Sequence, residues 1–160
     1  MNANGSQAML DDLDWQLLAM LQEDARQSFT ALGQAVGLSR PAVAERVRRL
    51  EDFGVITGYR AMVDPGRIGQ QIIAFTRVRP SSLREAALLS TALATMPEVQ
   101  ECYRTTGDDC YMVKLAVQSV AHLDVVLTEI RAYGTSSTAI VLSTVVAQRP
   151  VTRAAAAPCG

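Results

Sequence analysis

Residues 28–50 read SFTALGQAVGLSRPAVAERVRRL, the most informative stretch of the chain. The first part, 29–36, ends at Gly37, and glycine accepts the positive φ that commonly ends a helix. Ser39 is a good N-cap for a second helix, and Pro41 falls in the first turn of that helix, where the missing N–H does no harm. The pattern predicts two helices joined by a tight turn, which is a helix-turn-helix.

The second predicted helix has two different faces. Val43, Val47 and Leu50 are four and three residues apart, so they share the buried face. The outward positions carry arginines, and the second helix of this motif enters the major groove of DNA. An ordinary amphipathic hairpin with a solvated arginine face is the alternative interpretation. The joint pattern favours DNA, and the predicted contacts are Ser39, Arg40, Pro41, Ala44, Glu45, Arg48, Arg49 and, beyond the helix, Arg60.

The flanking segments complete the predicted DNA-binding domain. Upstream, Asp11 or Asp12 can cap a helix that runs to about Asp24 and carries leucines at a spacing of four. Downstream, residues 55–63 alternate loosely and are rich in strand formers, which predicts a short β hairpin (a wing) whose arginine meets a phosphate. Residues 64–66, Asp-Pro-Gly, form a turn signal that marks a domain boundary.

The composition is that of a folded protein with unevenly distributed charge. Hydrophobic residues make up 49% of the 160, and the formal net charge of −1 argues against a globally basic DNA-coating protein. Between residues 26 and 60, however, six arginines stand against three acidic side chains. A local basic surface on a near-neutral chain suits a specific regulator whose affinity is reinforced by oligomerisation.

The second half of the chain has a different pattern, with the order βαββαβ. This order indicates a split βαβ, ferredoxin-like sandwich, with one antiparallel sheet and two helices on one of its faces. We expect the other face to be apolar and covered by a second copy of the chain. The predicted strands are 72–78, 99–106, 110–117 and 138–147, and the predicted helices run from 81 or 82 to about 95 and from 121 to 133.

The sequence therefore predicts an α+β protein with two domains. The winged helix-turn-helix takes residues 1–63, and a linker or turn follows at 64–71. The βαββαβ domain takes residues 72–151, and residues 152–160 are expected to form a flexible tail.

Several classes of protein are disfavoured. Cys102, Cys110 and Cys159 form no Cys-x-x-Cys pair, so we expect neither a disulfide framework nor a zinc site. A single histidine, His122, and the lack of a nucleophile–base cluster argue against an enzyme, and we expect no metal and no cofactor. Because the N-terminus lacks a signal pattern and no apolar run approaches a membrane span, the expected location is cytoplasmic.

Motifs in the same order across both predicted domains carry a resemblance to a known family. The chain resembles the Lrp/AsnC (feast/famine) family of bacterial and archaeal transcription regulators, in which an ACT-like domain called RAM follows a winged helix-turn-helix. The matching stretches are Leu13-Asp14 with Leu17-Leu18, Gly37-Leu38-Ser39, residues 46–51, residues 54–59, Pro97-Glu98-Val99 with Cys102, and Thr106-Gly107-Asp108 with Tyr111.

The resemblance implies partners as well as a fold. Such proteins bind pseudo-palindromic promoter DNA and dimerise through the second domain, often assembling further to tetramers or octamers. They respond to a small effector, commonly an amino acid, bound between dimers. Mapped onto this sequence, the effector pocket takes Gly107, Asp108, Asp109, Cys110, Tyr111, Ser136, Ser137 and Thr138. A carboxylate there can pair with an α-ammonium group, while amides and hydroxyls hold an α-carboxylate. The alternative is that Gly107 only makes a hairpin turn and the aspartates are solvated.

Two positions depart from the family pattern. Cys110 stands where many members have aspartate, and Asp109 is a poor substitute because successive strand residues point to opposite faces. The replacement of this aspartate by Cys110 either changes the usual binding of the ammonium group, alters the effector preference, or makes Cys110 an oxidation sensor. A buried thiol, however, is usually inert. Arg40 stands between the capping serine and the proline, where it can read a base or grip a phosphate.

Three functions fit these features to different degrees. The leading hypothesis is a sequence-specific transcription regulator gated by an amino acid. The runner-up is an architectural protein that wraps or compacts DNA with weak sequence preference. The third is a ligand-binding regulatory subunit of an amino-acid enzyme, which the arginine-faced helix disfavours.

Overall fold

The computed structural model describes residues 10–107 and 110–153. These residues form two compact units. The N-terminal unit comprises residues 10–61 together with 146–153, and the C-terminal unit comprises 62–145. The chain thus begins in one unit, enters the other and returns to the first. The sequence partition, by contrast, placed residues 146–151 in the second domain and 152–153 in a flexible tail.

Three helices build the N-terminal unit, as the sequence predicted: α1 (Asp12–Glu23), α2 (Phe29–Val36) and α3 (Arg40–Asp52). Each begins at a side-chain cap, since Asp11, Ser28 and Ser39 accept hydrogen bonds from backbone N–H groups of the first turn. The buried faces of the three helices meet in one apolar core made of Leu17, Leu21, Leu32, Val43 and Val47.

Two glycines fix the turn between α2 and α3. Gly37 ends α2 at φ +72°, the left-handed conformation that glycine adopts without strain. Gly33 is required for a different reason, because a Cβ at this position would overlap the carbonyl oxygen of Leu38. The glycine lets α2 approach the start of α3, whose position is thereby set.

The predicted wing is not formed. Residues 55–63, all within the described part of the chain, contain no strand, and the segment from Thr57 to Asp64 is extended without regular structure. Most of its side chains are exposed, with Tyr59 50% and Met62 73% accessible. A two-stranded hairpin without a hydrophobic face to rest on is marginal in water. The strand-forming residues here therefore gave a misleading signal.

The C-terminal unit has the predicted βαββαβ order after a short 3₁₀ helix at Pro65–Ile68. All neighbouring strands are antiparallel and the sheet order is β2-β3-β1-β4. The inward side chains of the sheet pack with both helices in one core that includes Leu89, Val113, Leu115 and Ile130. The elements are β1 (Ile72–Pro80), α4 (Leu83–Thr95), β2 (Val99–Arg104), β3 (Tyr111–Val117), α5 (Val120–Arg131) and β4 (Gly134–Ile140).

The last strand was predicted too late in the chain. It begins at Gly134 and ends at Ile140, whereas the β-branched pattern indicated 138–147. Gly134 pairs with Pro80, and a Cβ on this glycine would overlap the carbonyl oxygen of Arg79. The glycine is thus the first residue of the strand.

The sheet face opposite the helices is mixed, not simply apolar as expected. Phe75 and Met112 are 41% and 39% exposed on this face. Charged side chains stand beside them, and Lys114 pairs with Glu101 at 2.8 Å. Ion pairing in this position is compatible with a partly polar interface.

The described helices contain at most 13 residues. A membrane crossing needs about 20, and none of these helices qualifies.

Candidate DNA-binding surface and effector region

Helix α3 presents its predicted outward residues on the surface of the N-terminal unit. Arg40, Pro41, Glu45 and Arg48 are exposed, and Ala44 is half-buried. Arg40 makes no hydrogen bond or ion pair with any described residue, so its guanidinium is available at the first turn of the helix. The exposed face therefore contains small residues flanked by charges, a shape that fits close approach to base edges.

Ser39 caps α3 at this surface. Its hydroxyl oxygen accepts a hydrogen bond from the Ala42 N–H at 3.4 Å, which caps α3. The side chain remains exposed, so the residue lies at the predicted surface while holding the helix start.

Glu45 and Arg48 are paired to one another across one turn of α3. The Arg48 guanidinium donates to both carboxylate oxygens of Glu45, at 3.0 and 2.8 Å. The pairing raises the pKa of Arg48 above its usual value. Both groups are exposed, so the pair is readily broken when a better partner arrives. Without DNA, the exposed face of α3 thus carries less net positive charge than its number of arginines suggests.

A buried carboxylate ties α3 to α1. Asp14 has no exposed surface, and its two oxygens accept hydrogen bonds from Arg46 at 2.7 Å and from Arg49 at 2.8 Å. Arg46 also contacts Asp11 at 2.7 Å. The Asp14 N–H bonded to Asp11, followed by the Arg46 guanidinium, lowers the pKa of the Asp11 carboxyl.

This network divides the arginines of α3 by task. Arg46 is only 24% exposed and serves to hold the helices together. Arg49, predicted as a DNA contact, is 47% exposed and held by Asp14, so it can reach a phosphate only from a fixed position. Sequence reasoning missed Asp14 because a pair separated by 32 or 35 residues leaves no periodic signal.

Arg60 lies in the extended segment after α3 and is exposed, without the hairpin that was expected to position it. Its neighbour Tyr59 returns to α3, where the phenol donates to Glu51 at 2.9 Å. Burial, followed by this hydrogen bond and the carboxylate charge, raises the pKa of Tyr59 to about 12. The hydrogen bond anchors the segment beside the end of α3.

The predicted effector loop is partly outside the described residues, because Asp108 and Asp109 lie in the gap between 107 and 110. Gly107 precedes them with φ +101°, a left-handed conformation that favours glycine. Cys110 is half-buried against the core of the C-terminal unit. Tyr111 is buried in that core, and its hydroxyl contacts Ser90 Oγ at 2.7 Å and donates to the carbonyl of Ala86 at 3.0 Å.

The three predicted effector residues of β4 do not share one face. Ser136 and Thr138 point to the helix side of the sheet, while Ser137 lies between them on the opposite, exposed side. Thr138 Oγ1 contacts the buried Thr76 Oγ1 at 2.7 Å. The Ser136 hydroxyl is buried without a hydrogen-bond partner among the described residues. One ligand cannot engage all three hydroxyls from a single side.

A groove between α4 and the edge strand β2 brings the predicted effector residue Tyr111 together with Ser90, Cys102 and Arg104, which were not predicted to bind the effector. The groove has a volume of about 330 Å³. Arg104 lies over the Tyr111 ring, with 5.9 Å from the guanidinium carbon to the ring centroid. Burial raises the pKa of the Cys102 thiol, so the thiol form is favoured here.

Two family models match the chain, one over the three helices and one over most of the C-terminal unit and on into residues 146–151. Residues 10–51 match the AsnC-type helix-turn-helix domain, and residues 73–151 match the Lrp/AsnC ligand-binding domain. The boundary between the matches falls in the extended segment and the 3₁₀ helix that follow α3.

Known proteins show the same similarity over both units. The chain is 40% identical over 134 residues to an uncharacterized HTH-type transcriptional regulator, YezC, of Bacillus subtilis, covering 84% of this chain and 94% of that protein. It is 37% identical over 123 residues to a proline dehydrogenase transcriptional activator of Rhodobacter capsulatus, covering 76% and 80%. The structure of LrpC from B. subtilis superposes with a TM-score of 0.82 at 29% identity, covering 87% of this chain and 99% of that one.

Proposed function

The chain belongs to the Lrp/AsnC family of helix-turn-helix transcription regulators with a ligand-binding domain, and from this premise we propose that it is a sequence-specific regulator whose DNA binding is modulated by an amino acid. The observation that carries the proposal is the exposed face of α3, with an unpaired Arg40 at its N-terminal end among the described residues and small side chains next to it. This is the part of a recognition helix that meets base edges.

The effector class is proposed from the ligand-binding match and from the chemistry of the predicted loop. Residues 107–111 offer carboxylates next to a glycine turn, which suits an α-ammonium group. The proposal agrees with the name of one relative, since the R. capsulatus protein is a proline dehydrogenase transcriptional activator and thus a regulator of an enzyme that acts on an amino acid. We place the effector near this loop, with Ser136 and Thr138 as further candidates, between dimers of the assembled protein.

The functional unit that we propose is a homodimer, assembling further to tetramers or octamers. A pseudo-palindromic operator presents two half-sites, and a two-fold dimer presents two copies of α3 to them. The mixed face of the sheet, with Phe75 and Met112 among charged groups, is the proposed dimer contact.

The test is a gel shift with DNA from upstream of the protein's own coding region. Shuffled DNA of the same length and composition is the competitor, and each of the twenty amino acids is added singly. We expect tighter binding to the upstream DNA and a change in affinity with at least one amino acid. Equal affinity for both DNAs would replace the specific regulator with an architectural DNA-wrapping protein. No retention of either DNA at moderate salt would favour the enzyme-subunit alternative.

Arg40→Ala locates the contact on α3. We expect it to cost about 1–3 kcal/mol on upstream DNA if the contact is bidentate, and to relax one base position. The matched control is Arg131→Ala, which removes an exposed arginine from α5 of the other unit. Equal losses on upstream and shuffled DNA would restrict Arg40 to a backbone contact.

A further inference from the structure

Helix α1 has a second face that the helix-turn-helix core does not use. Leu17 and Leu21 point into the three-helix core. Trp15, Leu18 and Gln22 follow one another at spacings of three and four on an adjacent stripe. Trp15 is half-buried, and together with Ala19, Gln22 and Glu23 it lines a cleft on this side of the helix.

The chain's own C-terminal segment lies against it. The amide of Gln22 forms two hydrogen bonds with the backbone of Val151: the Val151 N–H donates to Gln22 Oε1 at 2.7 Å, and Gln22 Nε2 donates to the Val151 carbonyl at 3.0 Å. This is the reciprocal pairing that two backbone groups make in a sheet. The same amide nitrogen also donates to the Leu18 carbonyl at 3.2 Å, which holds it in position.

One further contact fixes the direction of the segment. The Arg153 guanidinium lies 2.7 Å from the Asp12 carboxylate, one end of α1, while Val151 is held near the other end at Gln22. Trp15 and Ala19, between these points, line one cleft together with residues 150–153. From residue 151 to residue 153, the segment thus runs in the direction opposite to that of α1. The Val151 side chain stays 72% exposed, so recognition is through the backbone.

We propose that this stripe of α1 is a docking surface for the chain's own residues 150–153, and that the docked segment is a second tether of the DNA-binding unit. The chain leaves that unit after residue 61 and returns to it at residue 146. With the segment docked, the unit is connected to the ligand-binding unit by two stretches of chain. With the segment released, only the extended stretch after α3 connects them, and a single flexible connection restricts orientation far less.

Hydrogen exchange at the Val151 amide tests the docking. We expect hydrogen exchange at the Val151 N–H to be about tenfold slower in the full chain than in Gln22→Ala. The expected difference is modest because breaking the two hydrogen bonds between Gln22 and Val151 is a local opening of low free energy. Gln16→Ala is the matched control, since Gln16 is an exposed glutamine on the same helix without a hydrogen bond to a described residue. Equal exchange in the full chain and Gln22→Ala would overturn the docking.

A mixing experiment identifies whose segment is docked. Isotope-labelled full chain is assembled with an excess of unlabelled Gln22→Ala. Protection of the labelled Val151 amide persists if the segment sits on its own α1. Loss of protection in proportion to the excess would show that it docks on another copy, which overturns the assignment within one chain.

Trp15 reports the tether directly, because it is the chain's single tryptophan. In time-resolved anisotropy, the slow component of the decay should shorten in Gln22→Ala, which removes both hydrogen bonds, and in Val151→Pro, which removes the N–H that donates to Gln22 Oε1. Gln16→Ala should match the full chain. An unchanged slow component in both test variants would overturn the second tether. Neither measurement involves DNA or effector, so the outcome is independent of the proposed function.

Discussion

Asp14 shows how one buried side chain can hold α3, the helix that carries most of the predicted DNA contacts, in position. Its carboxylate has no exposed surface and accepts hydrogen bonds from Arg46 and Arg49 of α3. The hydrophobic periodicity of α1 predicts the leucines on either side of it, yet nothing in the local pattern marks a buried acid. Its partners lie more than thirty residues away and can be found only once α1 and α3 are packed together.

Asp14→Asn should destabilise the N-terminal unit. The amide would keep one acceptor oxygen but place NH2 hydrogens against one of the two guanidinium groups, and that arginine would need to return to water. Since the arginines are partly exposed already, we expect a loss of about 2–3 kcal/mol in the free energy of unfolding. Urea titration followed by Trp15 emission measures it. Asp12→Asn, at an exposed ion pair of the same helix, should cost less than about 0.5 kcal/mol; a similar cost for both variants would contradict the role of Asp14.

Glu45→Gln should strengthen DNA binding. The change releases Arg48 from its bidentate partner and removes a negative charge from a surface that approaches phosphates. We expect the dissociation constant for shuffled DNA to fall by about three- to tenfold, with a steeper dependence on salt. Fluorescence anisotropy of labelled DNA over a salt series measures both. Glu129→Gln removes the same charge from α5 and should change little. Weaker binding to upstream DNA alone would mean that Glu45 itself reads a base, such as cytosine.

At the scale of elements, the prediction of the turn between α2 and α3 is confirmed, and the prediction of a hairpin wing at residues 55–63 is wrong. Gly37, Ser39 and Pro41 each have a local conformational preference, and these preferences agree with one another. Residues 55–63 have strand formers but no face to bury, so propensity alone was insufficient. The late prediction of β4 has the same origin, because its Thr and Val pattern continues past Ile140, where pairing with β1 ends.

Gly33→Ala and Gly37→Ala test two different reasons for a glycine at this turn, the close approach of two backbones and the positive φ. A methyl group here would overlap the Leu38 carbonyl oxygen, and this should cost about 1–3 kcal/mol despite the better helix propensity of alanine. Gly37→Ala meets open space and suffers only the left-handed conformation, at about 1–2 kcal/mol. Thermal unfolding of both variants gives the comparison. A stabilising Gly33→Ala would show that the turn relaxes easily.

At the scale of the whole molecule, the βαββαβ order was readable because alternating and helical periodicities succeed one another with clear turn signals. The effector region was less predictable. The strand pattern cannot say that Tyr111 turns inward to Ser90, and it cannot place Arg104 over the Tyr111 ring. These contacts join α4, β2 and β3, so they depend on the assembled sheet.

Phe75→Glu should weaken the proposed homodimer. Phe75 is 41% exposed on the sheet face away from the helices, opposite Lys114, whose ammonium group is already paired with Glu101, so burying a further carboxylate there is costly. We expect the dimer dissociation constant to rise by at least about tenfold in sedimentation equilibrium, since an unpaired charge at an interface core costs more than about 1.4 kcal/mol. Leu83→Glu, at a 91% exposed residue that begins α4, is the control. An unchanged assembly in Phe75→Glu would move the dimer contact to another surface.

The ion pair between Asp12 and Arg153 also has a use in protein engineering. It brings Asp12 and Arg153 together at 2.7 Å between their side chains, although 141 positions separate them in the sequence. Positions that lie close together can be joined in a circular permutant. A permutant that links residue 153 to residue 10 by a short linker, and opens the backbone between residues 57 and 64, would keep every described helix and strand. The C-terminal segment would then be the sole covalent connection between the DNA-binding unit and the ligand-binding unit.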